Sequence, residues 1–236
     1  MKYAVIAAGE GSRLTKEGNT TPKPLIEVHG ERLVDRLLRI FEAQGASEVA
    51  VICNEQMAAV RTHLQAVQQK YRLPLRLVVK STPSSMHSMW ELRRWLGDSP
   101  FVLTTVDTIF REEEFKVFVQ TFGALLEAGT IDGMMGVSDF IDDEKPLYVS
   151  TADDLWISAF LDQCDSPRYV SAGIYGLTPR SLTTLQDCVE RGEQRMRNFQ
   201  RALLRDGYRL KAWPFSKVLD IDHVSDIQKA EAFLRG

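Results

Sequence analysis

The sequence predicts an α/β fold: a single doubly wound, mainly parallel sheet with a small antiparallel extension. Three observations predict it. Short apolar runs alternate with amphipathic helical stretches through the first half of the chain. Those runs are apolar at successive positions, as strands covered on both faces are. The second half breaks into short strand-like pieces separated by turns, which adds antiparallel strands at one end. With 236 residues, no internal repeat and no linker, residues 1–236 read as one domain with a boundary in character near residue 130.

Each element follows from its local pattern. Residues 2–8 are an apolar run that ends in glycines, the signature of a buried strand. Residues 33–44 place Leu33, Leu37, Ile40 and Phe41 on one helical face, and Gly45 stops the helix. Residues 48–54 are a second buried strand, 57–71 an amphipathic helix and 75–79 a third strand. A helix over 89–96, a strand over 101–106 and a helix over 112–128 complete the alternation. Strand-like pieces follow at 132–138, 146–150, 155–161 and 168–177. Residues 194–205 are helical, 208–213 and 218–222 extended, and 225–234 a final helix for which Ser225 and Gln228 form a capping box.

Composition narrows the function classes. Hydrophobic residues make up 44% and charged residues 26%, which excludes a disordered chain. The net charge of −3 lacks the basic excess of a nucleic-acid binder. No stretch approaches the roughly 18 apolar residues of a membrane span. The three cysteines, Cys53, Cys164 and Cys188, are far apart and have no metal-ligand spacing. They imply free thiols and a reducing, cytoplasmic location.

The chemistry-bearing segments begin with the first loop, Ala8-Gly9-Glu10-Gly11-Ser12-Arg13. Glycines directly after a buried strand let backbone N–H groups approach an anion. The dinucleotide fingerprint needs a third glycine where Leu14 stands, and the P-loop needs a G-K-[ST] end, so both fail. What remains is G-x-G-x-R, a loop with a permanently charged fork suited to polyphosphate. Its alternative is a glycine turn with a solvated arginine. Next, Lys23 stands between Pro22 and Pro24, whose rings predict a stiff extended segment that aims the ammonium.

Three acids complete the set. Asp107 follows the buried strand FVLTTV, and the carboxyl end of a central strand is where open α/β sheets bind ligands. Asp220 and Asp222 are two residues apart on a short strand, so both carboxylates share one face and can meet one cation. For Asp222 the alternative is a turn residue before the last helix. Hard oxygen donors without a Cys or His cluster point to Mg²⁺ rather than zinc.

AAGEGSRL followed by PKPLIEV resembles the nucleotidyltransferase (sugar-nucleotide pyrophosphorylase) family, whose signature is G-x-G-x-R-L and then P-K-P-L. The resemblance implies a Rossmann-like, GT-A-type domain that joins a nucleoside monophosphate from a nucleoside triphosphate to a small phosphorylated acceptor and releases pyrophosphate. It implies a nucleotide-binding half over 1–130, and an acceptor-binding half with the second metal ligand over 131–236. Ala8, Gly9, Gly11 and Ser12 would contact the nucleotide, and Arg13 and Lys23 would neutralise its phosphates during catalysis. Asp107 with Asp220 and Asp222 would hold Mg²⁺. The segment from Lys80 to Met89 stands at the family's base-reading loop, so Lys80, Ser84 and Ser85 join the nucleotide contacts. Lys80 stands where thymidylyl and uridylyl enzymes offer Gln, and Ser85 where they offer Gly. The S-S-x-x-S-M form is similar to phosphocholine cytidylyltransferases. Residues 169–175 resemble the strand beside the sugar and assign Gly173 and Tyr175 to the acceptor. The family's Glu-Lys-Pro element is missing from its place near 160–164, although Glu144-Lys145-Pro146 has those letters. Aromatic residues in this half, namely Tyr148, Trp156, Phe160, Tyr169 and Tyr175, suit a quaternary ammonium as well as a core. A catalytically silent nucleotide-binding homologue and a metal-dependent glycosyltransferase stay open beside the transferase reading.

Overall fold

The computed structural model describes residues 1–141 and 145–235. Its strands are β1 (Lys2–Ala7), β2 (Glu27–Val28), β3 (Glu31–Arg32), β4 (Glu48–Cys53), β5 (Leu75–Val79), β6 (Phe101–Thr105), β7 (Thr108–Ile109), β8 (Gly133–Ser138), β9 (Tyr148–Thr151), β10 (Ile157–Leu161), β11 (Tyr169–Leu177), β12 (Leu210–Phe215) and β13 (Leu219–Asp220). The helices are α1 (Ser12–Lys16), α2 (Leu33–Ala43), α3 (Ala58–Lys70), α4 (Ser85–Leu96), α5 (Glu112–Glu127), α6 (Ser181–Glu190), α7 (Met196–Arg205) and α8 (Val224–Arg235).

The central sheet runs β5-β4-β1-β6 in parallel. β11 then pairs antiparallel with β6, so the second half of the chain continues the same sheet. β8 and β12 extend it past β11, and β9 and β10 add an antiparallel corner. In register, Ala7 faces Cys53, and Cys53 faces Val79. The loops after β1, β4 and β5 therefore leave the sheet side by side at its carboxyl edge, where ligands of open α/β sheets sit.

Alternation along β1 divides the core between the two faces. Tyr3, Val5 and Ala7 pack with Phe41 of α2 and Phe115 and Phe118 of α5. Ala4, Ile6 and Ala8 pack with Met86, Met89 and Leu92 of α4. Tyr3 stacks on Phe41 at 4.5 Å between ring centroids. Fully burying each such side chain contributes about 1.5–3 kcal/mol, so burial on both faces fixes the strand against sliding.

The structure departs from the sequence expectations at several points. α4 begins at Ser85, not Met89, because the Ser84 hydroxyl caps it by accepting from the His87 N–H at 3.4 Å. α6 is an addition, since SLTTLQDCVE carries weak helix formers. It forms because Thr184, Leu185 and Cys188 are buried beside α4 and α7. The five-residue α1 is a second addition. Pro22-Lys23-Pro24 is not extended throughout: Lys23–Leu25 is a single 3-10 turn closed by Leu25 N–H to Pro22 C=O at 2.8 Å. The start of α8 is capped by Asp226, whose Oδ2 accepts from the Asp222 and His223 N–H groups. It takes the place expected of Ser225 and Gln228. Glu144 lies outside the described residues.

Candidate active site

Gly11 caps α1 in the left-handed conformation, φ 63°, where a side chain would be strained. The Lys23 stem passes against Gly11: a Cβ added to this glycine would stand 3.5 Å from Lys23 Cβ. The lysine is thereby delivered to the sheet edge. It is buried, yet its Nζ donates to Asp107 Oδ2 at 2.7 Å and to Asp222 Oδ1 at 2.8 Å. Arg13 Nη2 reaches Asp222 Oδ2 at 2.9 Å from the exposed side.

A small ladder gathers the acids. β7 pairs antiparallel with β13, which sets Asp220 opposite Thr108. The Ile221 N–H donates to the Asp107 carbonyl at 3.2 Å. Asp107 and Asp222 thus flank Lys23 with Asp220 beside them, although 113 positions separate Asp107 from Asp220. Hydroxyls of Thr105 and Thr108 lie 2.6 Å apart, and they lower the pKa values of the Asp107 and Asp220 carboxylates respectively.

The electrostatics follow from this crowding. Burial alone would lower the Lys23 pKa, but Asp107 and Asp222 overcome it and raise it to about 12. Burial would raise the Asp107 pKa, and Lys23 reverses that and holds it low. Desolvation in the cleft, with the Asp107 and Asp222 charges close by, pushes Asp220 up to about 8. The Asp220 side chain still presents surface to the cleft.

Two cavities meet at Asp220 and Ser171. One, of about 250 Å³, is lined by Arg13, Asp222, Ser138, Phe140 and Lys229 among others. The second, of about 330 Å³, is lined by Ser84, Ser85, Thr105, Tyr175, Arg195 and Gln200 among others. Gly173 also lines it. Gly173 sits in a β-bulge of β11 at φ 69°, and a Cβ there would be 3.1 Å from Thr108 Oγ1 and 3.4 Å from Thr105 Oγ1. Only glycine lets β11 approach the threonine pair this closely. Burial, opposed by a Ser171 hydrogen bond, pushes the Tyr175 hydroxyl up to about 12.

Residues 3–130 match the MobA-like NTP transferase domain. The chain belongs to this family. A relative in the archaeon Haloferax volcanii, the low-salt glycan biosynthesis nucleotidyltransferase Agl11, is 22% identical over 214 residues, which is 88% of this chain and 58% of that protein. The chain thus spans little more than half of that relative's length. A candidate glucose-1-phosphate thymidylyltransferase of Bacillus anthracis, solved with sucrose, superposes with a TM-score of 0.85 at 17% identity, covering 100% of this chain and 95% of that one. The inositol-1-phosphate CTP transferase of T. maritima does so with a TM-score of 0.78 at 17% identity, covering 99% and 96%. At these identities the structural matches establish the family's fold, the Rossmann-like sheet described above.

The residues singled out in the sequence are distributed as follows. Arg13, Lys23, Asp107, Asp220 and Asp222 converge. Ser84 and Ser85 line the same cavity as Gly173 and Tyr175. Ala8 is buried, while Gly9 and Ser12 are exposed on the loop beside the site. The Lys80 side chain is exposed and turns to Glu91 of α4 at 2.9 Å. Of the five aromatics, Phe160, Tyr169 and Tyr175 belong to the core, and Tyr175 also lines the second cavity. Residues missed in the sequence are Thr105, Thr108, Ser171 and Gln200. Gln200 carried a signal: a polar residue next to Phe199 on the apolar face of α7. It is 2% exposed and donates to Ser171 Oγ at 3.1 Å.

The donors suit a divalent cation. Among the described residues no group of three or more His, Cys, Asp and Glu side chains forms a metal site unaided. Mg²⁺ commonly takes one or two carboxylates and completes its shell with water and substrate phosphate. Asp107 and Asp220 offer hard oxygens of that kind. Burial first, and then the neighbouring Asp107 and Asp222 charges, raise the Asp220 pKa, and Lys23 only partly offsets them.

Proposed function

We propose that the chain transfers a nucleotidyl group from a nucleoside triphosphate to a phosphorylated polyhydroxy acceptor, a sugar or polyol phosphate, with release of pyrophosphate. The observation that carries this reading is the convergence of Lys23, Arg13 and three aspartates where the two cavities meet. The first cavity, with Arg13, suits the triphosphate tail. The second, with Arg195, Gln200 and Ser171, suits an anion that carries hydroxyls.

Each side chain then has a task. Arg13 and Lys23 bind triphosphate oxygens and stabilise the charge that builds on the leaving pyrophosphate. Asp107 and Asp220 would hold Mg²⁺, which supplies charge neutralisation at the reacting phosphate when bound. Thr105 and Thr108 orient those two carboxylates. The acceptor phosphate is ionised at neutral pH and needs no base, so the chain's work is positioning and electrostatics. In this reading the two halves, 1–130 and 131–236, share both substrates, since Arg13 joins Asp222 and Lys229 in the first cavity and Ser84 and Thr105 join Arg195 and Gln200 in the second. The free thiols Cys53, Cys164 and Cys188 support a reducing compartment, and among the described residues no helix is long and apolar enough to cross a membrane.

The test is a pyrophosphate-release screen of four nucleoside triphosphates against glucose 1-phosphate, inositol 1-phosphate and phosphocholine with Mg²⁺. Release with one base and a sugar or polyol phosphate is expected. Nucleotide binding without release from any pair would overturn the transferase reading in favour of a silent homologue.

A further inference from the structure

Two elements that line the first cavity come from opposite ends of the chain. Arg13 stands on α1, and Asp222, His223 and Asp226 stand at the start of α8. α1 has little of its own to hold it in place. It is five residues long, its N-cap Gly11 makes no side-chain bond, and Leu14 is its one buried residue. A helix this short is not stable by itself, so its orientation is set by what its side chains meet.

Two side chains meet the start of α8. Arg13 and Glu17 are four positions apart, which puts them on one face of α1. Arg13 Nη2 bonds Asp222 Oδ2 at 2.9 Å. Glu17, at the C-cap of α1, divides its two oxygens. Oε1 accepts from His223 Nδ1, and Oε2 accepts from the Val224 N–H at 2.8 Å. Asp226 takes the Asp222 and His223 N–H groups from within α8 itself. Asp226 therefore moves with the turn, whereas Glu17 fastens the turn to α1. The ties from Arg13 and Glu17 are not equivalent. Arg13 is the one that turns to triphosphate oxygens in the proposed reaction, and its hold on Asp222 weakens as it does so. The Val224 N–H is a helix-end donor that needs an acceptor, and a carboxylate is favoured there. Glu17 thus keeps its grip while Arg13 changes partner.

We infer that Glu17 is a positioning residue: it fixes α1 against residues 222–224 and so holds Arg13 where the triphosphate tail meets it. The inference rests on the nucleotidyl-transfer reading for the role of Arg13. Charge and geometry predict opposite signs. Removing a carboxylate one turn from Arg13 makes the site more positive, and by charge alone it strengthens triphosphate binding. Loss of the docking weakens it. Glu17→Ala, Glu17→Asp, Arg13→Ala and the double variant Glu17→Ala with Arg13→Ala are compared with wild type. Calorimetric titration with Mg²⁺ uses the tightest-binding of ATP, CTP, GTP and UTP, alongside steady-state kinetics and thermal melting. Glu17→Ala raises the triphosphate Kd and KM about tenfold and leaves the acceptor KM within about twofold. Glu17→Asp keeps the charge but is one methylene too short to reach both donors, and it raises the same constants about threefold or more. On the Arg13→Ala background, Glu17→Ala costs no more than about twofold, because its effect passes through Arg13. An unchanged or tighter triphosphate Kd in folded Glu17→Ala overturns the inference, and so does a full loss that persists without Arg13. If Glu17→Ala does not fold, Glu17→Asp decides, and an unchanged Kd there overturns it. If wild type binds triphosphate but releases no pyrophosphate, the transferase reading fails, and the Kd values alone decide on Glu17. Wild type that binds none of the four triphosphates overturns both.

Discussion

Lys23 and Asp107, 84 positions apart in the chain, are joined by a 2.7 Å ion pair at the carboxyl edge of the sheet. The lysine occupies a point between Asp107 and Asp222 that would otherwise hold uncompensated negative charge. A buried ammonium with two carboxylate partners is integral to the local packing, and in the proposed reaction it also meets triphosphate oxygens. Removing one member of such a pair leaves a charge without a partner, which costs about 3–5 kcal/mol in a fully buried setting and less here, where solvent reaches the carboxylates. Lys23→Ala should therefore lower both the melting temperature in EDTA and the turnover, the latter by about 100-fold or more. Mg²⁺ should restore much of the melting temperature and little of the turnover. Melting curves with and without Mg²⁺ check this, and a metal-independent melting temperature would count against a cation among the three aspartates.

Asp107→Asn tests the other partner. The amide keeps the shape and a hydrogen-bond acceptor for Thr105, and Lys23 retains Asp222. The fold should persist with a melting temperature close to wild type, while pyrophosphate release falls by about 100-fold or more. Turnover near wild type at saturating Mg²⁺ would remove Asp107 from the site.

Asp220 behaves in the opposite sense because its pKa is raised, to about 8. A carboxyl raised in the folded state binds more protons folded than unfolded between its unfolded pKa and that value. Its contribution is destabilising as the pH climbs through this window and absent at low pH. In EDTA, wild type should lose stability from pH 5 to pH 8 through this group, and Asp220→Asn should lose less. At pH 8 the variant should melt higher by roughly 1–3 °C, a modest gain because solvent in the cleft screens the charges. Its turnover should be nearly abolished. Identical pH profiles for the two proteins in EDTA would show that the Asp220 pKa is not raised.

Much of this site was legible in the sequence, and the rest was hidden for identifiable reasons. Arg13 and Lys23 announced themselves through glycines and prolines, which constrain the backbone at their own positions. Asp107 was legible because a buried strand ended there. The weight of Asp222 was not, since its meeting with Lys23 and Arg13 depends on the β7–β13 ladder, a pairing of two residues on each side. Thr105, Thr108 and Ser171 were silent because hydroxyls in strands are commonplace and their partners come from distant segments. The central strands were read within a residue or two since their apolar runs are continuous. α6 was missed because its formation depends on burial of Thr184, Leu185 and Cys188 and not on propensity.

Gly173→Ala tests the bulge in β11. A non-glycine residue at φ 69° is strained, and its Cβ would meet Thr108 Oγ1 at 3.1 Å. The substitution should destabilise by about 1 kcal/mol or more. The displaced threonines then disturb the second cavity more than the first. The acceptor KM should rise more than the triphosphate KM, and equal changes in both would place the acceptor elsewhere.

The acceptor itself is the last prediction. A quaternary ammonium needs aromatic faces around it. Here Trp156 already faces Lys211, with Nζ 5.0 Å from its ring centroid, and Phe160 and Tyr169 are buried in the core. Tyr175 alone of the five aromatics lines the second cavity, and Lys145, Arg195 and Arg197 share that wall. Arg197 is paired with Asp162, whereas Arg195 stands at the N-terminal end of α7 with no side-chain capping bond and makes no ion pair among the described residues. Cations on the wall repel choline and attract an anion. The Ser171–Gln200 pair supplies hydrogen bonds for hydroxyls beside it. Arg195→Ala should therefore raise the KM for a sugar or polyol phosphate about tenfold, leave the triphosphate KM within about twofold and leave the melting temperature unchanged. Titration with a non-hydrolysable triphosphate and Mg²⁺ present should show binding of glucose 1-phosphate or inositol 1-phosphate and none of phosphocholine. Binding of phosphocholine alone, with an Arg195→Ala variant that binds it as well as wild type, would reverse the assignment and return the cavity to a cationic acceptor.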